Sequence, residues 1–226
     1  MKKQAKAVIL LSGGMDSCVT LALAHQNEHK LYALHLNYGQ LTEKRELKSF
    51  KEICKHYNIP SSQRLIIDVS HFKQIGSNAL TDKSIPLNKS GKIDTKVPTS
   101  YVPFRNAHIL SIAVSWAEVI KASKIYIGAV QEDSSGYPDC TAYFLRLFQR
   151  AANAGTKPET KLTIAAPLLH LSKTEIVQEG IKLKAPLHLT YSCYESNEVP
   201  CQKCDSCVLR AKGFKNAKVK DPILSN

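Results

Sequence analysis

Five short apolar runs alternating with helix-patterned stretches set the main constraint on this chain. "AVILL" (7–11), "LYALHLNY" (31–38), "RLIIDV" (64–69), "KIYIGAV" (124–130) and "KLTIAAPL" (161–168) read as strands. The stretches 15–26, 41–58, 105–122, 140–153 and 172–183 have helical spacing. Strands this apolar need cover on both faces, and parallel strands need long crossovers, so the pattern predicts an α/β, doubly wound, Rossmann-like parallel sheet of five strands. Ser172 with Glu175 three residues later has capping-box spacing for the last of these helices. The segment 76–100 is rich in turn formers, and a loop of that length is usually functional or disordered. The alternation ends near residue 190, where a cysteine-rich stretch begins. The chain of 226 residues is long enough for one sizeable core and a small appendage, expected at 1–190 and 191–226.

The loop after the first strand reads Ser12-Gly13-Gly14-Met15-Asp16-Ser17. It is neither a Walker A loop nor a G-x-G-x-x-G fingerprint, which argues against a γ-phosphoryl transferase and a dinucleotide enzyme. Adjacent glycines let backbone N–H groups approach an anion, and the following helix adds its N-terminal dipole. Ser12 and Ser17 add hydroxyl donors. Asp16 beside an anion either caps the helix or holds a magnesium ion that bridges phosphates. A plain strand–turn–helix, with glycine for the turn and Asp or Ser as cap, fits the same residues.

Four of the seven cysteines, Cys193, Cys201, Cys204 and Cys207, fall within fifteen residues. Four thiolates suit tetrahedral zinc, and with no coordination position left open the ion would be structural, pinning the C-terminal segment near the acceptor pocket. The C-x-x-C turn would place two sulfurs together and a separate strand would supply the fourth. C-x-x-C-x-x-C also occurs in iron–sulfur proteins. Cys18 and Cys54 read as core thiols. Cys140 opens a helix, where burial competes with a lowered pKa.

The net charge of +12 fits a solvated basic surface or attraction to anions. No arginine-rich arm or aromatic RNA-binding pattern accompanies it, so no nucleic-acid partner is expected. No apolar run is long enough to span a membrane and the first apolar run is too short for a signal peptide, so a cytoplasmic location is expected.

S-G-G-x-D-S after the first strand resembles the PP-loop ATP pyrophosphatases, which split ATP between the α and β phosphates. This implies a fold of the adenine nucleotide α-hydrolase type over 1–190. It implies ATP contact along Leu11, Ser12, Gly13, Gly14, Met15, Asp16, Ser17, Cys18, Val19, Thr20 and Leu21. It also implies a phosphate-reaching lysine opening a helix after the last strand, here Lys173. Further segments, "NYGQ", "TSYVPFRNAHILSIA", "SSGYPDC" and "YSCYESNEVPCQKCDSCVLRAKGF", occur in an order similar to that of the QueC family of 7-cyano-7-deazaguanine synthases, from about residue 7 to about residue 214. That resemblance implies a ligase joining ammonia to 7-carboxy-7-deazaguanine. The carboxylate would be adenylated and attacked by ammonia, and the amide adenylated again to leave a nitrile. It implies catalytic roles for Ser12, Asp16, Ser17 and Lys173, and a homodimer acting on small molecules. Arg105 and Asn106 would touch phosphate or substrate, or cap their helix. Asp133, Tyr137 and Asp139 would line the acceptor site, an acid facing the N1–H and amine of a guanine-like base. The sequence departs from the family pattern at Leu41 and Thr42, at Phe104 where glycine is common, and at Thr141; these positions are expected to face the deazapurine or its carboxylate. A sibling ligase on a related carboxylate, a tRNA-modifying PP-loop enzyme and a non-catalytic nucleotide-binding module share parts of this pattern.

Overall fold

The computed structural model describes residues 4–27, 29–87, 97–131 and 136–224. Its centre is a five-stranded sheet of β1 (Lys6–Leu10), β2 (Lys30–Asn37), β3 (Arg64–Asp68), β4 (Lys124–Tyr126) and β5 (Thr163–Ala165). The strand order is β3-β2-β1-β4-β5 and every pairing is parallel. The central strand shows why its sequence has no polar alternation. Val8 and Leu10 enter one core, with Leu110, Ala113 and Ala117 of α4 (Arg105–Ile120). Ala7 and Ile9 enter the opposite core, with Cys18 and Leu21 of α1 (Met15–Gln26) and Phe50 and Ile53 of α2 (Glu43–His56). A strand covered on both faces must be apolar at every position.

The remaining helices are the short α3 (Phe72–Ile75), α5 (Ala142–Ala154), α6 (Lys173–Lys182) and α7 (Asp205–Asn216). The capping box expected at Ser172 is present: the Ser172 side chain accepts from the Glu175 amide, and the Glu175 carboxylate accepts from the Ser172 amide. A third apolar cluster joins Met15 and Val19 of α1, Ile176 and Val177 of α6 and Phe214 of α7, so α6 lies between α1 and α7.

Two expected strands are shorter than their apolar runs. β4 stops at Tyr126 rather than Val130 because the chain then crosses the start of α1; a Cβ at Gly128 would lie 3.0 Å from the Ser17 amide nitrogen. β5 covers only Thr163–Ala165 of 161–168. Cys193 lies in a loop rather than in the separate strand that its ligand role suggested. No helix among the described residues is long and apolar enough to cross a membrane.

Candidate active site

The sheet's strand order turns back between β1 and β4, and such a switch point leaves a crevice at the carboxyl ends of the strands. The Ser12–Ser17 loop fills that position. Gly13 has φ +92°, and a Cβ there would stand 2.6 Å from the Glu46 carbonyl oxygen of α2. Only glycine lets the loop pass so close to the neighbouring helix. The Gly14 amide donates to Ser12 Oγ at 3.2 Å, Ser17 Oγ donates to the Gly14 carbonyl at 3.0 Å, and the two serine hydroxyls lie 3.1 Å apart. His35 of β2 holds the loop from beneath, its Nδ1 2.9 Å from the Leu11 carbonyl oxygen.

Asp16 does not cap α1: the N-cap is Gly14 and it makes no side-chain cap hydrogen bond. Its Oδ2 instead accepts from Lys173 Nζ at 2.8 Å, across 157 positions of sequence. Its Oδ1 is buried without a hydrogen-bond partner. A carboxylate oxygen so placed has given up water for nothing in the protein, which fits a ligand to a divalent cation.

The loop forms one wall of a cleft of about 240 Å³. Leu11, Ser12, Gly14, Met15, Asp16 and Ser17 line it. Gly13, Cys18, Val19, Thr20 and Leu21, expected along the ATP, do not; all five are buried and the Cys18 amide already donates to the Gly14 carbonyl. The opposite wall carries Arg105 and Asn106 from α4, Tyr137, Cys140 and Tyr194. Arg105 Nη1 donates to the Tyr38 hydroxyl at 2.9 Å, and no carboxylate among the described residues pairs with it. The Tyr137 hydroxyl lies 2.7 Å from Ser100 Oγ.

The structure brings Arg105, Asn106 and Tyr137 to the cleft but turns Asp139 away from it. Asp139 is 3% exposed, and its Oδ2 accepts from the Asn106 amide at 2.9 Å. It serves the first turn of α4, so the helix-start cap lies in Asp139 rather than in Arg105 or Asn106. Burial pushes its carboxyl upward against the pull of that amide and of Arg105. Asp133 lies outside the described residues. The departures from the family pattern also fall away from the cleft lining, contrary to expectation. Thr42 Oγ1 donates to Glu46, Thr141 caps α5 by accepting from the Phe144 amide, and Phe104 is 55% exposed. The Leu41 carbonyl accepts from the Asn197 side chain. Tyr38, Tyr191 and Tyr194 line the cleft unforeseen. The quoted "NYGQ" and "YSCY" contained them, but nothing in their spacing distinguishes a cleft tyrosine from a core one.

The four clustered cysteines are brought together as expected. Their sulfurs lie within 4.8 Å of one another, three of the residues buried and Cys201 partly so. Backbone amides of Glu195, Ser196 and Cys201 point at Cys193 Sγ from 3.3 to 3.4 Å, and the Cys204 amide points at Cys201 Sγ at 3.3 Å. Such N–H···S contacts favour thiolate, and hydrogen bonds from the Cys204 and Cys207 thiols hold Cys193 well below its ordinary value. The cluster can hold a metal ion such as zinc. The other cysteines are inert by comparison: burial pushes Cys18 and Cys54 up to about 12 and Cys140 to about 11.

The sequence pattern of a family described as "Queuosine biosynthesis protein QueC" matches residues 6–218. The chain belongs to the QueC family. Its relatives include the 7-cyano-7-deazaguanine synthase of Chlorobaculum parvum, 51% identical over 96% of this chain and 95% of that one. The enzyme of the same name from Chlorobium chlorochromatii is 52% identical over 96% and 95%. Among solved structures, the tRNA thiolase NcsA of Methanococcus maripaludis superposes with a TM-score of 0.50 over 96% of this chain and 68% of its own; at 16% identity the likeness extends to the fold alone. This QueC chain is therefore an enzyme of queuosine biosynthesis.

Proposed function

We propose that the chain is an ATP-dependent carbon–nitrogen ligase that converts 7-carboxy-7-deazaguanine and ammonia to 7-cyano-7-deazaguanine. The observation that carries this reading is one cleft whose two walls carry unlike groups suited to anions. One wall is the Ser12–Ser17 loop with Lys173 behind it; the other presents the Arg105 guanidinium, hydrogen-bonded to the Tyr38 hydroxyl and in no ion pair among the described residues. A nucleotide and a carboxylate fit such a pair. The family membership and the absence of Leu41, Thr42, Phe104 and Thr141 from the cleft lining support the family's own acceptor.

In the first half-reaction a carboxylate oxygen attacks the α-phosphorus and pyrophosphate leaves. Ser12 and Ser17, now bonded to each other, turn their hydroxyls to phosphate oxygens, and the loop amides join them. Lys173 offsets charge on the departing pyrophosphate. Arg105 anchors the acceptor carboxylate and Tyr137 and Asn106 complete its wall. Ammonia then displaces AMP to give the amide, whose oxygen is adenylated in turn; loss of the second AMP leaves the nitrile. Magnesium, with Asp16 Oδ1 as a ligand, would neutralise phosphate charge. Zinc held by Cys193, Cys201, Cys204 and Cys207 would have a purely structural task. The reading takes the protein as a cytoplasmic homodimer using free ammonia, with the ATP-splitting part at 1–190 and the metal segment at 191–226.

Incubation with 7-carboxy-7-deazaguanine, ATP, magnesium and an ammonium salt is expected to yield the nitrile, detected by product mass, with two AMP formed per turnover as the chemistry above requires. Turnover that stops at the amide, or AMP release only with other carboxylates, would overturn the assignment.

A further inference from the structure

The pairing of Lys173 with Asp16 joins residues 157 positions apart in sequence, so something other than local sequence must set its 2.8 Å separation. The capping box fixes where α6 begins, but a cap says nothing about where the helix sits relative to α1. That is decided by the layer in which α6 lies between α1 and α7. Both contacts are made through glycine. At Gly180 a Cβ would come within 3.0 Å of Val19 of α1. At Gly213 of α7 a Cβ would stand 2.9 Å from the Lys173 carbonyl oxygen and 3.0 Å from Lys173 Cβ. The second contact falls on the backbone of the lysine itself. A carbonyl cannot rotate aside as a side chain can, so any bulk at 213 moves the first turn of α6 and the ammonium group with it.

α7 is held firmly enough to act as a fixed surface. Near its start Cys204 and Cys207 belong to the cysteine cluster. In its middle the buried Arg210 donates to both carboxylate oxygens of Asp221, at 2.7 and 2.9 Å, and to Thr190 Oγ1 at 2.8 Å. The bidentate fork fixes direction as well as distance.

We infer that α7 is a positioning element for the ATP half of the reaction: Gly213 seats the backbone of Lys173, and Arg210 holds α7 against it. The inference rests on the proposed role of Lys173 at the phosphates. Gly213 and Arg210 touch no substrate; they act through Lys173.

Full-length Gly213→Ala, Lys173→Ala and the double variant would be compared for ATP and acceptor KM, kcat and bound metal. Gly213→Ala is expected to raise the KM for ATP or lower kcat by about tenfold to a hundredfold, the size of a small misplacement of a catalytic group. The acceptor KM and the metal content should stay unchanged. In the Lys173→Ala background the same substitution should add nothing, because the group it displaces is gone. Equal losses in both backgrounds, or a wild-type ATP response in Gly213→Ala, would overturn the inference. If Lys173→Ala itself left ATP use intact, the proposed role of Lys173 would fail instead. Arg210→Lys keeps the charge and loses the fork; it serves if Gly213→Ala does not fold. It is expected to show the same ATP-selective, Lys173-dependent loss, and a loss that also appears without Lys173 would count against the inference.

Discussion

Gly13 shows how one residue can be set by both backbone and neighbours. Its φ of +92° is outside the range that L side chains favour, and its Cα faces the Glu46 carbonyl of α2. Gly13→Ala therefore meets a conformational cost of about 1–2 kcal/mol and a backbone clash that the loop can relieve only by moving. Saturation kinetics should show kcat/KM for ATP lowered about a hundredfold, and an unchanged value would mean that the loop does not hold ATP. Phe104 is the contrasting case. It occupies the left-handed region, φ +56°, at the N-cap of α4. Its ring is mostly exposed and meets Phe144 edge-on at 5.9 Å, with none of the crowding found at Gly13. Two residues that depart from simple backbone rules thus have different consequences, and what separates them is their surroundings.

Among the longer helices, α7 is the one the sequence pattern concealed. Its buried stripe is Cys207, Arg210, Gly213 and Phe214, correctly spaced for a helix face but only partly apolar. Each member is buried for a separate reason: a sulfur cluster, a carboxylate, a helix crossing and a core. A hydrophobic-periodicity reading has no access to those reasons. Because Cys207 lies in the first turn, the candidate metal site and the helix start coincide. Cys207→Ser should lose the bound ion, about one equivalent for a four-cysteine site, and lower the melting temperature, as removal of a structural metal does. Elemental analysis and thermal melts of the full chain would check this; retention of a full equivalent with unchanged melting would show that Cys207 is not a ligand. β4 and β5 err in the opposite sense. Their apolar runs outlast the ladders, since the chain beyond Tyr126 stays buried while turning toward the loop.

At the scale of the molecule, the doubly covered sheet carries a proton-linked cost at its centre. His35 is buried on β2, its ring 4.9 Å from that of Phe50. Burial pulls its pKa below the ordinary 6.5, against the opposing effect of the Leu11 carbonyl. The unfolded chain then binds a proton that the folded one refuses, so this contribution to stability is lost as pH falls from about 6.5 toward the folded-state value. Melting temperatures measured from about pH 7.5 down to 5.5 should fall, and His35→Gln should flatten that slope. A slope unchanged by the substitution would mean that other groups carry the linkage.

The chain's own order of residues determined the sheet, the two-faced burial of its central strand, the capping box of α6, the glycine loop after β1 and the cysteine cluster. Each depends on periodicity or on neighbours a few residues apart, and those interactions survive being read along a line. Only the tertiary structure decided that Asp16 meets Lys173 rather than capping α1, that Asp139 serves α4 rather than the cleft, and that Arg105 lines that cleft beside the Tyr38 hydroxyl. The tyrosines around it, and the seating of Lys173 on Gly213, were likewise beyond the reach of spacing. Those outcomes depend on which helices lie side by side across the sheet, and packing joins residues whose separation in sequence carries no information about their distance in space.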